Sequence, residues 1–98
     1  MMVHIADVRL NVQTHEVVRA KQSIYLTKQE FKLLQLLIDN KNTLVSREGI
    51  LKHIWHASGS MKTRIVDVYI GYLRKKIDQN FEKKLIKTVH AKGYMITA

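Results

Sequence analysis

The spacing of hydrophobic residues changes twice along the chain and divides it into three parts. Residues 3–25 alternate apolar and polar side chains in short runs, which predicts an antiparallel sheet with one buried face. Alternation returns on both sides of Ala91 and Lys92 and predicts a C-terminal hairpin. Gly93 is expected to make the tight reversal of this hairpin through a positive φ, with Lys87, His90 and Lys92 near its tip.

Between these strands the apolar residues follow a helical period. Residues Thr27 to Glu30 have the pattern of a capping box, so a helix is expected to begin there and to lose its pattern at residues 39–42. A short strand at residues 44–45 is expected next. It is followed by a second helix, which Ser46 caps and which runs to Trp55.

The third helix, predicted over residues 63–77, has two distinct faces. Its buried stripe consists of Val66, Ile70, Leu73 and Ile77. The opposite face has no acid and consists of Arg64, Val68, Gly71, Tyr72, Lys75 and Gln79. A basic helix face of this kind suits a nucleic-acid groove, although it can also be ordinary solvated surface. Asp67 is expected to act as a helix N-terminal charge or as an ion-pair partner of Arg74.

The composition narrows the kind of partner. The 98 residues include 17 Lys and Arg against 8 Asp and Glu, a net charge of +9, which indicates a polyanion and nucleic acid first. An anionic membrane surface ranks below it because no basic amphipathic helix stands apart from the globular pattern. Apolar runs such as Leu36–Ile38 are far shorter than the ~20 residues of a membrane span. The absence of cysteine excludes disulfides and thiolate metal sites and suits the cytoplasm.

Four segments, in this order, resemble the winged-helix DNA-binding effector domain of OmpR/PhoB-class response regulators. They are LTKQEFKLLQLLI, LVSREGILKHIW, TRIVDVYIGYLRKKI and LIKTVHAKGYMI. The resemblance implies an α+β fold, a winged helix-turn-helix with an N-terminal four-stranded antiparallel sheet, three helices and a C-terminal β-hairpin wing. Residues 1–98 would form this one domain. The receiver domain of such regulators is not among them, and we expect an excised effector domain rather than a stand-alone regulator.

The resemblance also implies roles for individual residues. The third helix would lie in the major groove and the wing, residues 86–97, along the backbone and the adjacent minor groove. Phosphate-contacting positions would be Arg47, Trp55, Arg64, Arg74 and Tyr94, and base-facing positions Val68 and Tyr72. The remaining DNA-facing candidates are Lys75, Thr88, His90 and Lys92. Loop 57–61 would correspond to the transactivation loop, which in some members contacts RNA polymerase, and two copies would bind a direct repeat as a homodimer on DNA.

Two departures from the family pattern affect the expected target. Many members carry an arginine pair where this chain has Gly71 and Tyr72, so the bidentate arginine–guanine contact is missing there. At the wing, His90 stands where arginine is common, and a mostly neutral imidazole is weaker in a narrow, negative minor groove. Lys92 is expected to compensate. The target sequence should therefore differ from those of better-known relatives.

Other kinds of function have less support. The eight acids show no catalytic spacing, so we expect no enzyme activity. His53 and His56 are three apart on a helix without a cysteine or acidic partner nearby, so neither a metal nor a cofactor is expected. A winged-helix module that binds an acidic protein surface or RNA polymerase stays open as the alternative, and Trp55 and Tyr94 can equally be core residues. The favoured interpretation is sequence-specific binding of double-stranded DNA by a cytoplasmic bacterial two-component transcriptional regulator.

Overall fold

The computed structural model describes residues 1–56 and 63–98, which form two small sheets and three helices. An N-terminal antiparallel sheet has the strand order β1-β2-β3-β4, and a second antiparallel sheet has the order β5-β7-β6. In chain order the elements are β1 (Met2–Ile5), β2 (Val8–Asn11), β3 (Val17–Arg19), β4 (Gln22–Ile24), α1 (Lys28–Asp39), β5 (Val45–Ser46), α2 (Arg47–Trp55), α3 (Arg64–Ile77), β6 (Ile86–Val89) and β7 (Gly93–Ile96). The predicted α+β winged-helix architecture is confirmed.

The N-terminal sheet packs one face on the helices. Its inward side chains Val8, Leu10 and Val17 are fully buried, while intervening Arg9 is exposed, as the alternation predicts. Beneath the sheet, α1 contributes a wide apolar face that includes the buried Phe31. The hydrophobic core therefore lies between the sheet and the three helices.

The predicted helix starts are confirmed for α1 and α2. The Thr27 hydroxyl accepts from the Glu30 amide at 3.3 Å, and the Glu30 carboxylate accepts from the Thr27 amide at 2.9 Å, which completes the capping box. The Ser46 hydroxyl accepts from the Gly49 amide at 3.0 Å. In α3 the predicted stripe of Val66, Ile70, Leu73 and Ile77 is buried, so the helix presents its other side to solvent.

The C-terminal hairpin of β6 and β7 is the wing, and the prediction for its glycine is wrong. Ala91 takes the left-handed conformation at the reversal, with φ 62°. Gly93 instead begins β7 and pairs with Ser46 of β5. A Cβ atom at Gly93 would lie 2.1 Å from the carbonyl oxygen of Val45, so glycine is needed there for the close approach of two backbones.

A buried arginine ties the N-terminal sheet to the far end of α3. Arg19 of β3 is 1% exposed and donates to the carboxylates of Asp78 at 3.0 Å and Asp7 at 3.1 Å. Asp78 also accepts from the backbone amides of Leu85 and Ile86, at the start of β6. The same ion pair therefore holds the end of α3 and the base of the wing.

Candidate nucleic-acid interface

The exposed side of α3 is apolar and aromatic at its centre and basic at its ends. Val68 is 42% exposed and Tyr72 46% exposed, and both are large hydrophobic side chains in contact with solvent. Arg64 at the start of the helix and Lys75 near its end are also exposed. With 14 residues, α3 is about 21 Å long. An α-helix with its side chains is about 10–12 Å in diameter, which fits the width of a B-DNA major groove, about 12 Å.

Gly71 leaves the middle of this face open. Apart from Gly71 itself, its two chain neighbours and the backbone of its own helix, no atom of the described residues lies within 4 Å of the position that a Cβ would take at Gly71. A glycine inside a helix costs about 0.5–1 kcal/mol relative to alanine, and no steric need for it exists among the described neighbours. The face therefore combines a gap at Gly71 with the projecting ring of Tyr72, at the two positions where the resemblance implies an arginine pair in many members.

The start of α2, the first turn of α3 and the wing meet at one carboxylate. Asp67 accepts from Nε of Arg47 at 2.8 Å and from the hydroxyl of Tyr94 at 2.5 Å. The guanidinium of Arg47 also lies 5.3 Å from the centre of the Tyr94 ring. Asp67 is an acid in the first turn of α3, as expected, but its ion-pair partner is Arg47 and not Arg74.

The ionisation of this cluster follows from its contacts. Burial raises the pKa of Asp67, but the hydrogen bonds from Tyr94 and Arg47 outweigh it, so the pKa of the carboxyl is lowered. Burial and the hydrogen bond to Asp67 both raise the pKa of the Tyr94 hydroxyl. Near neutral pH the carboxylate is therefore charged and the phenol keeps the proton that it donates.

Arg74 extends from α3 to the wing. Its Nη2 atom donates to the carbonyl oxygen of Ile86 at 3.1 Å and to the hydroxyl of Thr88 at 2.7 Å. Its guanidinium lies 5.5 Å from the centre of the Tyr94 ring. The family resemblance implies a phosphate-contacting role for Arg74, and in the structure its guanidinium bonds to the protein's own wing.

Three aromatic rings connect α2 with the exposed face of α3. The rings of Trp55 and Tyr69 meet edge to face at 5.1 Å, and those of Tyr69 and Tyr72 at 5.4 Å. Trp55 and Tyr69 pack against the core, and Tyr94 is 4% exposed with its hydroxyl bonded to Asp67. The rings of Trp55 and Tyr94 thus lie against or within the hydrophobic core, in agreement with the interpretation of both as core residues. Tyr69 was not predicted as part of the site, although its spacing of three from Tyr72 places both on neighbouring turns.

The tip of the wing is polar and basic. His90 and Lys92 flank Ala91 at the reversal and are both exposed. Lys87, predicted near the tip, lies instead within β6 opposite Met95, and its ammonium group donates to the carbonyl oxygen of Lys84 at 2.8 Å. The tip therefore presents one full positive charge and one imidazole.

Two other expectations concern loops and metals. Residues 57–61, assigned to the transactivation loop by resemblance, lie outside the described residues. In residues 1–56 and 63–98, no group of three or more His, Asp or Glu side chains is arranged to hold a metal ion. Within the same ranges, the helices are too short or too polar to span a bilayer.

These elements define the class of the protein: a winged-helix domain whose third helix and β-hairpin lie side by side. Comparison with known proteins adds the family. The sequence profile of the family described as "Transcriptional regulatory protein, C terminal" matches residues 21–96. The chain belongs to this family, the effector domains of OmpR/PhoB-type response regulators, and the predicted resemblance is confirmed.

Individual relatives agree with this assignment. The chain is 41% identical over 90 residues to the transcriptional regulatory protein YkoG of Bacillus subtilis. The aligned residues make up 92% of the chain and 40% of YkoG. It superposes on the OmpR/PhoB homologue DrrB of Thermotoga maritima with a TM-score of 0.85 and 31% identity, over 99% of the chain and 44% of DrrB. The RstA DNA-binding domain of Klebsiella pneumoniae, solved in complex with the RstA box, gives a TM-score of 0.88 and 27% identity over 98% of the chain and 96% of that domain. The chain thus spans about two fifths of the length of its curated relatives.

Proposed function

We propose that this domain binds double-stranded DNA sequence-specifically, with α3 in the major groove and the wing at the adjacent minor groove. The observation that carries the proposal is the exposed face of α3, where Val68 and Tyr72 project between the cations Arg64 and Lys75. A solvated helix gains nothing from exposing a valine and a tyrosine together, whereas base edges offer thymine methyl groups and hydrogen-bonding atoms. Val68 and Tyr72 are therefore the proposed base-reading residues.

Cations around this face would contact the phosphates. Arg64 and Lys75 lie at the two ends of α3, Arg47 begins α2, and Lys92 stands at the wing tip. Four such contacts would give a slope of about −3.6 for log K against log salt, since each phosphate neutralised contributes about −0.9. The N-terminus of α3 favours an anion as well, because the side chain of Thr63 makes no capping hydrogen bond there.

The neutral members of the candidate set have supporting roles in this proposal. Trp55 can donate its indole N–H to a phosphate while its ring packs on Tyr69. Thr88 in β6 and His90 at the wing tip, both exposed, would face the DNA backbone and the minor groove. Tyr94 acts from behind the surface, because its hydroxyl holds Asp67, which in turn orients Arg47.

For the whole protein we propose a cytoplasmic two-component transcription regulator without catalytic activity. Two copies would bind a direct repeat head to tail, with half-sites about one helical turn apart. Contact with RNA polymerase through residues 57–61 is part of the same proposal. The RstA DNA-binding domain, solved in complex with the RstA box, supports the choice of DNA as the partner.

Selection from a randomised duplex library at about 0.15 M ionic strength tests the proposal. Sequencing of the bound pool should reveal an enriched motif, and a direct repeat of it would support tandem binding. Binding without enrichment would contradict sequence specificity. The absence of binding, or a slope of log K against log salt near zero, would favour the alternative, a module that binds an acidic protein surface.

A further inference from the structure

We infer that Arg74 is a positioning residue that fixes the wing against α3, and that it is not a phosphate ligand. The inference rests on the proposed function and revises the role that family resemblance suggests for this position. Arg74 would thereby hold the recognition helix α3 and the wing in a fixed relative position, so that both contact the DNA together.

Among the described residues, the side-chain hydrogen bonds of Arg74 and its aromatic contact lead to the wing. Thr88 of β6 and Tyr94 of β7 are directly opposite each other in the hairpin register. Arg74 donates to the Thr88 hydroxyl at 2.7 Å and places its guanidinium 5.5 Å from the Tyr94 ring centre. Its second acceptor, the carbonyl oxygen of Ile86, is two residues before Thr88 on the same strand. One side chain of α3 therefore engages both strands of the wing.

Three of the four cations proposed to contact phosphates differ from Arg74 in this respect, whereas Arg47 is itself bonded to Asp67 through Nε. Arg64, Lys75 and Lys92 are exposed, and the hydrogen bonds among residues 1–56 and 63–98 include none from their side-chain nitrogens. Arg74 is half-buried and uses Nη2 for two hydrogen bonds, at 3.1 Å and 2.7 Å. To bind a phosphate through that nitrogen, it would have to release the wing that the same complex needs. Exposed cations can neutralise phosphates without any such loss.

The position of the wing tip follows from this contact. β6 is an edge strand of the sheet β5-β7-β6, so only one of its sides is held by backbone pairing. Below it, the amide of Ile86 is anchored to Asp78. Arg74 adds the next attachment, at Thr88, two residues before His90. Loss of the Arg74 guanidinium should therefore increase the mobility of the distal wing. Lys92 would then no longer hold a fixed position relative to α3.

A first experiment needs no DNA. Amide hydrogen exchange is measured by NMR on the full chain for wild type, Arg74→Met and the matched variant Arg64→Met, which removes the same group from the exposed start of α3. Arg74→Met should speed exchange in residues 87–95 by about fivefold or more, because a lost hydrogen bond to a charged group costs at least about 1 kcal/mol. Arg64→Met should not, and Thr88→Val should act in the same direction as Arg74→Met.

The second experiment is a double-mutant cycle on a duplex recovered by the library selection. Lys92→Met is combined with Arg74→Met and, as the control, with Arg64→Met. If Arg74 positions the wing, the effect of Lys92→Met on Kd should shrink at least about twofold in the Arg74→Met background and stay the same in the Arg64→Met background. Independent phosphate ligands would instead give multiplicative effects in both backgrounds.

The two readouts separate failure of this inference from failure of DNA binding. Unchanged exchange in the wing of Arg74→Met, or an equal rise in α1, overturns the positioning role whatever the DNA result. Multiplicative effects on Kd overturn it as well. If the domain binds no duplex, the proposed function fails, and localised exchange in the wing would still support Arg74 as its attachment.

Discussion

Replacement of Asp78 by asparagine should destabilise the fold far more than the same change at Asp7, although both carboxylates bind Arg19. The Asp78 side chain is 5% exposed and that of Asp7 is 48% exposed. Asp78→Asn removes the charge that compensates a buried guanidinium, while Asp7→Asn removes one that water can replace. Comparison of the two variants tests whether the burial of an ion pair, and not merely its presence, determines how much it contributes to the free energy of unfolding.

The expected magnitudes follow from the geometry. In Asp78, Oδ1 accepts from Arg19 and Oδ2 accepts from the Ile86 amide, each at 3.0 Å. An asparagine in either orientation would point its amino group at one of these two donors. Removing one partner of a buried pair costs about 3–5 kcal/mol. Removing one partner of an exposed pair costs about 0–1 kcal/mol.

Urea unfolding can measure both variants. The only tryptophan, Trp55, reports tertiary structure by fluorescence, and far-UV circular dichroism should give a coincident two-state transition. With an m-value of about 1–3 kcal/mol/M, Asp78→Asn should lower the midpoint by at least about 1 M. Asp7→Asn should leave it nearly unchanged. Losses of equal size, or a loss below about 1 kcal/mol for Asp78→Asn, would refute the reasoning.

Three further predictions concern glycines, base reading and pH. Gly71→Ala should raise the free energy of unfolding by about 0.5–1 kcal/mol because the site is open, and Gly93→Ala should lower it by about 1–3 kcal/mol because its Cβ would strike a backbone carbonyl. Urea unfolding distinguishes the two. Tyr72→Ala should change which bases are enriched in library selection, and equal loss of specific and non-specific binding would remove Tyr72 from the reading residues. Burial raises the pKa of Glu30, but bonds from Lys76 and Thr27 outweigh it and lower the pKa. Because folded Glu30 then binds fewer protons than unfolded Glu30, its contribution to stability is lost as pH falls below about 4, and Glu30→Gln should flatten that acid limb.

Most of the fold could be predicted from the sequence because its elements depend on local patterns. Alternation defined the strands, a 3.6-residue period defined the buried stripe of α3, and the capping box marked the start of α1. The same period predicted that Val68 and Tyr72 are exposed, since residues opposite a buried stripe face solvent. Gly93 shows the boundary of such reasoning. A glycine near a hairpin was recognisable, but its cause is the passage of β5, which lies almost fifty residues earlier in the chain.

Pairing between charges was decided only by the tertiary structure. Asp67 and Arg47 are 20 residues apart, and Arg19 and Asp78 are 59 apart. Periodicity relates residues on one element, whereas these contacts depend on how separate elements pack, which no local spacing encodes. The same holds for Arg74, which the family resemblance gives as a phosphate-contacting position and which the structure connects to the wing. Sequence therefore determines which faces are buried and which are basic, and packing determines which of the basic side chains remain available to a ligand.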